Sequence, residues 1–238
     1  MLKTVNFQDL GSVDYKKAWE YQEEIFNKIL AEKFANTAGN ERSGSSAGYL
    51  LFCEHPHVYT LGKSGAENNL LINDDFLRKI GADYYRIDRG GDITYHGPGQ
   101  IVGYPIFNLE RFGLSIRQYI QTLEMAIILT LNEHGIEASR LNSASGVWLD
   151  SSDPLKARKI CAIGVRASRH VTMHGFAFNV NTDLNYFTHI NPCGFRDKGV
   201  TSMEKELGHK QDINVIKEKL KINLSNVFRM ELIQNQKV

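Results

Sequence analysis

Between Arg89 and Gly103 the chain reads RGGDITYHGPGQIVG, five glycines with Arg89, Asp92, Thr94, Tyr95, His96 and Gln100 set among them. Glycine costs backbone entropy, so such density points to something that approaches the main chain closely. The bland alternative is a pair of tight turns between strands. The polar residues here include nearly every type that can orient a ligand, which favours a binding site. Neither GxGxxG nor GxxxxGK(S/T) occurs, so the stretch carries no dinucleotide or P-loop signature.

Three scattered cysteines form no CxxC pair. A disulfide framework or structural zinc site is not expected, and a reducing, cytoplasmic setting is the natural reading. Cys53 and Cys161 lie in apolar runs, where a cysteine behaves as a small buried hydrophobe. Cys193 sits in Asn191-Pro192-Cys193-Gly194, between a rigid residue and a permissive one, as an accessible turn cysteine would. Taken alone it is either a reactive thiol or an incidental loop residue. The segment from Pro154 to Thr182 has no Asp or Glu but carries Lys156, Arg158, Lys159, Arg166 and Arg169, with His170 and His174. Nearby cations lower a thiol's pKa from about 8.5 by favouring the thiolate. A basic face would also draw an acidic partner; the same run could equally be a solvated strand edge. Lys159 opens the apolar strand Ile160 to Gly164, which could hold its amine near a cleft, although spacing alone does not bring it to Cys193. His55 and His57 flank Pro56 with no third convincing ligand, so no metal is expected. His96 is a candidate for ligand contact or acid–base support, or a satisfied structural histidine. His134 suits the C-terminus of a helix.

The elements that must position these residues follow from periodicity. Val13 to Phe34 reads as an amphipathic helix with Ala18, Trp19, Ile25, Phe26, Ile29 and Leu30 on one side. Ala35 to Gly48 is small and polar and reads as a surface loop. Tyr49–Cys53, Val58–Leu61, Ile101–Phe107, Val147–Leu149, Ile160–Val165 and Met173–Val180 read as strands. Ser115 opens the best helix: Ser115 and Gln118 make a capping box, the buried stripe runs from Ile116 to Leu131, and Gly135 terminates it. Asp212 caps a last helix whose apolar side is Val215, Ile216, Leu220 and Leu224.

The 238 residues suit one domain, 1–238, with its core over 44–230 and the polar loop at 35–48. Lys and Arg number 28 against 27 Asp and Glu, a net charge of +1 that offers no global attraction to nucleic acid or an anionic membrane. With 42% hydrophobic and 23% charged residues, the composition is that of an ordinary folded protein. No secretory signal is visible, and the most apolar stretch, Met125 to Leu131, is too short to span a bilayer. The fold class expected is α/β (α+β), a single mixed sheet with flanking helices.

Several blocks together resemble the lipoyl(octanoyl) transferase family: EHPHVYTLG (Glu54 to Gly62), RGGDITYHGPGQIVGYPI (Arg89 to Ile106), KICAIGVR (Lys159 to Arg166), HGFAFNVNTDL (His174 to Leu184), INPCG (Ile190 to Gly194) and VTSM (Val200 to Met203). They occur in the family's order across most of the chain. The resemblance implies the fold of the biotin/lipoate protein ligase catalytic domain. It implies transfer of an octanoyl group from octanoyl-acyl carrier protein to a lysine of lipoyl domains, those of 2-oxo acid dehydrogenases and the glycine cleavage H protein. No cofactor, nucleic acid or membrane takes part. By the same resemblance Cys193 carries the acyl thioester and Lys159 is its partner. Arg89, Gly90, Gly91, Asp92, Ile93, Thr94, Tyr95 and His96, then Ala162, Ile163 and Gly164, then Gly175, Phe176 and Ala177, contact substrate. The chemistry agrees: a thioester calls for a soft nucleophile, and thiolate attack splits one acyl transfer into two easier steps. Lys159 would favour the thiolate and move protons, and backbone N–H groups near the glycine-rich strands would hold the oxyanion. Tyr95, Ile163, Phe176 and Ala177 are the expected lining of the acyl slot. Burying eight carbons at ~0.8 kcal/mol each contributes roughly 6 kcal/mol. The rival reading is an ATP-dependent lipoate- or biotin-protein ligase, which needs no nucleophilic cysteine.

Overall fold

The computed structural model describes residues 2–37, 46–141, 144–191 and 199–234. Its elements are β1 (Lys3–Ser12), α1 (Tyr15–Thr37), β2 (Gly48–Glu54), β3 (Val58–Leu61), α2 (Asp74–Lys79), β4 (Asp83–Arg86), β5 (Ile93–His96), β6 (Gln100–Phe107), α3 (Leu109–Phe112), α4 (Ile116–Asn132), β7 (Ser139–Leu141), β8 (Ala144–Leu149), β9 (Arg158–Ser168), β10 (Val171–Asn179), β11 (Gly199–Val200), α5 (Met203–Leu207), α6 (Ile213–Phe228) and β12 (Met230–Gln234). A nine-stranded mixed sheet in the order β12-β1-β2-β6-β10-β9-β8-β7, with β11 on β9, is accompanied by a three-stranded sheet, β4-β3-β5. Among the described residues no helix is long and apolar enough to cross a membrane.

Strand alternation divides the large sheet into two faces. Phe52, Ile101, Cys161, Phe176 and Phe178 pack with α4 and α6, where Tyr119, Leu123, Ile127, Leu220 and Leu224 complete one apolar cluster. Leu51, Cys53, Val102, Tyr104 and Ile106 turn the other way and meet Ala18, Ile25, Phe26 and Ile29 of α1. The predicted capping box is present, Ser115 Oγ accepting from Gln118 N while Gln118 Oε1 accepts from Ser115 N. Gly135 has φ +74°, the left-handed conformation of a helix terminator. Asp212 Oδ1 accepts from Asn214 N and Val215 N to start α6, but Val215 itself is exposed and forms no part of the buried side.

Two expectations need correction. The polar stretch from Ala35 is helical as far as Thr37, and at its other end Ala47 is buried and Gly48 opens β2. A Cβ on Gly48 would lie 2.3 Å from Ile106 O, so this small residue is there for a close strand approach; residues 38–45 lie outside the described residues. The basic run from Lys156 to Arg169 does not form one basic face. β9 and β10 lie inside the sheet, and carboxylates from elsewhere meet their cations: Asp153 meets Lys156, Asp150 and Glu206 meet Arg158, and Asp88 meets Arg166. A segment's own lack of acids says nothing about the acids that the fold brings to it. The N-terminal strand β1, central to one half of the sheet, was missed because only its middle, Val5 to Phe7, is buried.

Candidate active site

The site is built where small residues follow one another on one face of neighbouring strands. Ala162 stands opposite Ala177 and Gly164 opposite Gly175 across β9 and β10, and Val102 stands opposite Ala177 across β6. Of the alternating positions, Phe178 sends its bulk to the α4 and α6 face, and Ile163 and Phe176 pack there while still bordering the cavity. The result is a floor with little side chain on it, under a cavity of about 600 Å³.

A loop from Arg89 to Asp92 covers part of this floor. Gly90 N donates to Val165 O at 3.0 Å, fastening the loop to β9. The Arg89 guanidinium turns into its own loop and donates to Gly90 O (2.8 Å), Asp92 O (2.6 Å) and Thr60 O (3.2 Å). Asp92 accepts both contacts from Asn69 Nδ2 and one from Ile93 N. The two charged residues of the motif therefore hold the loop's shape while still bordering the cavity. A Cβ on Gly164 would lie 2.6 Å from Arg89 Nη1 and 2.8 Å from Gly90 O, so the loop lies this low only over glycine.

Lys159 stands at one end of the cavity beside Gly199 and Val200, its Nζ 4.6 Å from the centre of the Trp148 ring. Val200 pairs with Lys159 itself, and Thr201 N donates to Lys159 O at 2.9 Å. The opposite end is walled by Tyr15, His96, Tyr104 and His174. His96 Nδ1 bonds Gln100 Oε1 at 2.8 Å, and Gln100 Nε2 donates to Asn179 Oδ1 at 2.9 Å. Gln100 is thereby oriented with its oxygen toward His96, so Nδ1 carries a proton. Burial holds His96 down at about 3, and His55 behind it at about 4. His174 Nε2 bonds Asp88 at 3.0 Å; that bond, with Arg166, holds the Asp88 carboxyl below its usual range. Among the described residues no group of three His, Cys, Asp or Glu side chains could hold a metal ion.

Residues 14–225 match the family model of the lipoyl protein ligase A/B catalytic domain. An octanoyltransferase of Flavobacterium johnsoniae is 55% identical over 234 residues, covering 98% of this chain and 100% of that protein. The chain belongs to the octanoyltransferases of this family. Among solved structures it is similar to a lipoate-protein ligase A bound with ATP, with a TM-score of 0.72, 16% identity, and coverage of 100% of this chain and 90% of that one. A bi-partite lipoate protein ligase of Thermoplasma acidophilum, described with its E2 lipoyl domain, gives 0.70 and 14%, covering 99% of this chain and 87% of that one. At such identities the likeness is one of fold.

Set on this octanoyltransferase fold, most of the expected substrate contacts meet at one cavity: Arg89 to Thr94, His96, Ala162 to Gly164 and Gly175 to Ala177 all border it. Tyr95 does not. As the alternate residue of β5 it turns away, is fully buried with Tyr59 and Leu77, and bonds His57 Nδ1 through its hydroxyl at 2.7 Å. Tyr186 stacks on both of those rings, 4.1 Å from His57 and 4.9 Å from Tyr95. Tyr95 thus belongs to the wall behind the site and not to an acyl slot. Cys193 lies outside the described residues. Cys53 and Cys161 are fully buried, and burial pushes both thiols up, which leaves them inert. The sequence reading missed Tyr15, Val102, Tyr104 and Asn179 on the cavity wall. Only Val102, Tyr104 and Asn179 carried a signal, since each lies within a quoted block.

Proposed function

We propose that this chain takes an octanoyl group from its thioester on octanoyl-acyl carrier protein and passes it to the lysine of a lipoyl domain, by way of a thioester on Cys193. In the first step the Cys193 thiolate attacks the thioester carbonyl carbon. The carbon–sulfur bond to the carrier's arm breaks, and the departing thiolate takes a proton from the Lys159 ammonium. In the second step the neutral acceptor amine attacks the Cys193 thioester and gives its proton to the Lys159 amine. The amide forms, Cys193 leaves as thiolate, and both groups return to their starting state. The lipoyl domains of 2-oxo acid dehydrogenases and of the glycine cleavage H protein are the acceptors in this reading. A reduced thiol of this kind suits a cytoplasmic setting.

The observation that carries this reading is the position of Lys159 at the end of a cavity floored by Ala162, Gly164, Gly175 and Ala177. An ammonium beside an apolar trough suits thioester chemistry on a fatty chain, since it can favour a thiolate and supply a proton to the leaving thiol. Val200, seven residues after Cys193 in the sequence, pairs with Lys159. The bound ATP of the ligase with a similar fold belongs to that protein. Intact-mass measurement after mixing with octanoyl-acyl carrier protein and no ATP tests the reading. An octanoyl adduct that is lost in Cys193→Ser is expected, and an absolute requirement for ATP would overturn it.

A further inference from the structure

We propose that a β-bulge at Ile160 aims Lys159 into the cavity, and that Glu124 is the positioning residue that holds the bulge. The proposal rests on the transferase reading and deepens it, by accounting for how that reading's proton carrier comes to face the cavity.

Regular alternation along β9 would keep Lys159 out. Ala162 and Gly164 lie on the cavity floor, so a regular strand would bring Ile160 to the same face and turn Lys159 toward the helices. The reverse is found. Ile160 is fully buried in the apolar cluster with α4 and α6, as is its neighbour Cys161. Lys159 lies on the other side, its Nζ 4.6 Å from the centre of the Trp148 ring. Trp148 stands between Val147 and Leu149, both of which turn to the helices. The strand register supplies the cause. Val147 pairs with Cys161 but Trp148 pairs with Lys159, so β8 has no residue to set against Ile160. One extra residue inverts the alternation beyond it, and a bulge of this kind re-aims a side chain.

The bulge is held from outside the strand ladder. On the other side of β8 the register slips as well: Arg140 pairs with Val147 and Leu141 with Ala144, which leaves Ser145 and Gly146 extra in β8. Glu124, 4% exposed on α4, closes this junction. Its Oε1 accepts from Gly146 N and its Oε2 from Arg140 Nε, both at 3.0 Å. A buried carboxylate is costly unless its oxygens are taken up in this way, so the pair of bonds fixes Gly146 in place. Gly146 has φ +114°, and a Cβ there would lie 2.5 Å from Cys161 O and 3.6 Å from Lys159 Cδ. Glycine lets β8 come this close to the bulged strand, directly beside the lysine stem.

The test measures kcat and KM for octanoyl transfer from octanoyl-acyl carrier protein, and the pH midpoint for iodoacetamide labelling of Cys193. Glu124→Ala is expected to lower kcat about 10- to 100-fold, as misplacing a reacting group by about 1 Å does, with KM within about threefold of wild type. Its labelling midpoint should rise toward about 8.5 as the ammonium leaves the thiolate. Glu124→Gln, which can still accept from Gly146 N, should recover most of kcat. In a Lys159→Ala background Glu124→Ala should lower kcat by no more than about twofold further, because both changes remove the same group from the site. If Glu124→Ala does not fold, Gly146→Ala is read in its place with the same expected directions. A folded variant with unmoved kcat and labelling midpoint overturns the proposal, and so do effects on kcat that multiply with that of Lys159→Ala. A Lys159→Ala enzyme as fast as wild type, or a wild-type enzyme that forms no octanoyl adduct, sinks the transferase reading itself.

Discussion

The two faces of β9 and β10 are made from the same residues, taken alternately, and they do opposite things. On one face Cys161 and Phe178 meet α4 and α6 in a solid apolar layer, which Ile163 and Phe176 join while also bordering the cavity. On the other Ala162, Gly164, Gly175 and Ala177 leave a cavity of about 600 Å³ bordered by His96, Tyr104 and His174. Close packing stabilises a fold, whereas a hollow forgoes those contacts. The solid face therefore supports the rigidity that the hollow face gives up. Changes on the hollow side should cost turnover with little stability, and changes on the solid side the reverse.

The sharpest test of that division is Lys159→Ala. Removing the group proposed to hold the thiolate and move protons should lower kcat by about 10²–10⁴-fold, with the melting midpoint within about 4 °C of wild type. The pH midpoint for iodoacetamide labelling of Cys193 should rise toward about 8.5. An unmoved labelling profile would remove Lys159 from its role.

The complementary change is Phe178→Ala. Phe178 is fully buried between the sheet and the helices, and truncating such a ring costs about 3–5 kcal/mol. That predicts a fall in melting midpoint of about 6–20 °C. Octanoyl transfer measured well below the new midpoint should stay within about threefold of wild type. A large loss of transfer in the folded variant would break the separation of the two faces.

The two faces were also unequally legible. The stripe from Tyr119 to Leu131 repeats at helical spacing, and Ser115, Gln118 and Gly135 mark its ends, so α4 could be read directly from its residues. The hollow face leaves no such periodicity, because Ala and Gly on a strand look like weak strand positions. It became legible through the order of the motif blocks. Charge misled where it depends on the fold: Arg158 and Arg166 find Glu206 and Asp88, far from them in sequence. Tyr95 was misplaced because a motif does not say which side of a strand its residues take, and alternation sent it away from the cavity.

The buried histidines at the cavity's end sharpen the comparison through pH. His96 is neutral in the fold, at about 3 against 6.5 for an exposed ring. The unfolded chain therefore binds a proton that the native state refuses below pH 6.5. Its contribution to stability is complete above pH 6.5 and is lost as the pH falls toward 3. On going from pH 7 to 4.5, His96 accounts for on the order of 2 kcal/mol, about 4–8 °C of melting midpoint. His96→Gln should show a correspondingly smaller fall over that range. An equal fall in both proteins would show that the ring is protonated in the native state.

The smallest effect expected is that of Gly164→Ala, and it is the most direct test of why the hollow face is hollow. The added methyl would sit 2.6 Å from Arg89 Nη1 and 2.8 Å from Gly90 O. Arg89 cannot swing away without releasing Gly90 O, Asp92 O and Thr60 O, and Gly90 O is backbone. The loop must therefore rise from β9 as a unit, stretching the Gly90 N to Val165 O bond of 3.0 Å. Little apolar burial is lost by that movement, so the melting midpoint should fall by less than about 4 °C. The loop is, however, one wall of the cavity proposed to hold the acyl group, and kcat/KM for octanoyl-acyl carrier protein should drop about tenfold. A Gly164→Ala enzyme with wild-type kcat/KM would mean that the loop's height over the floor does not matter to the acyl group. A variant that lost stability instead would place Gly164 with the solid face.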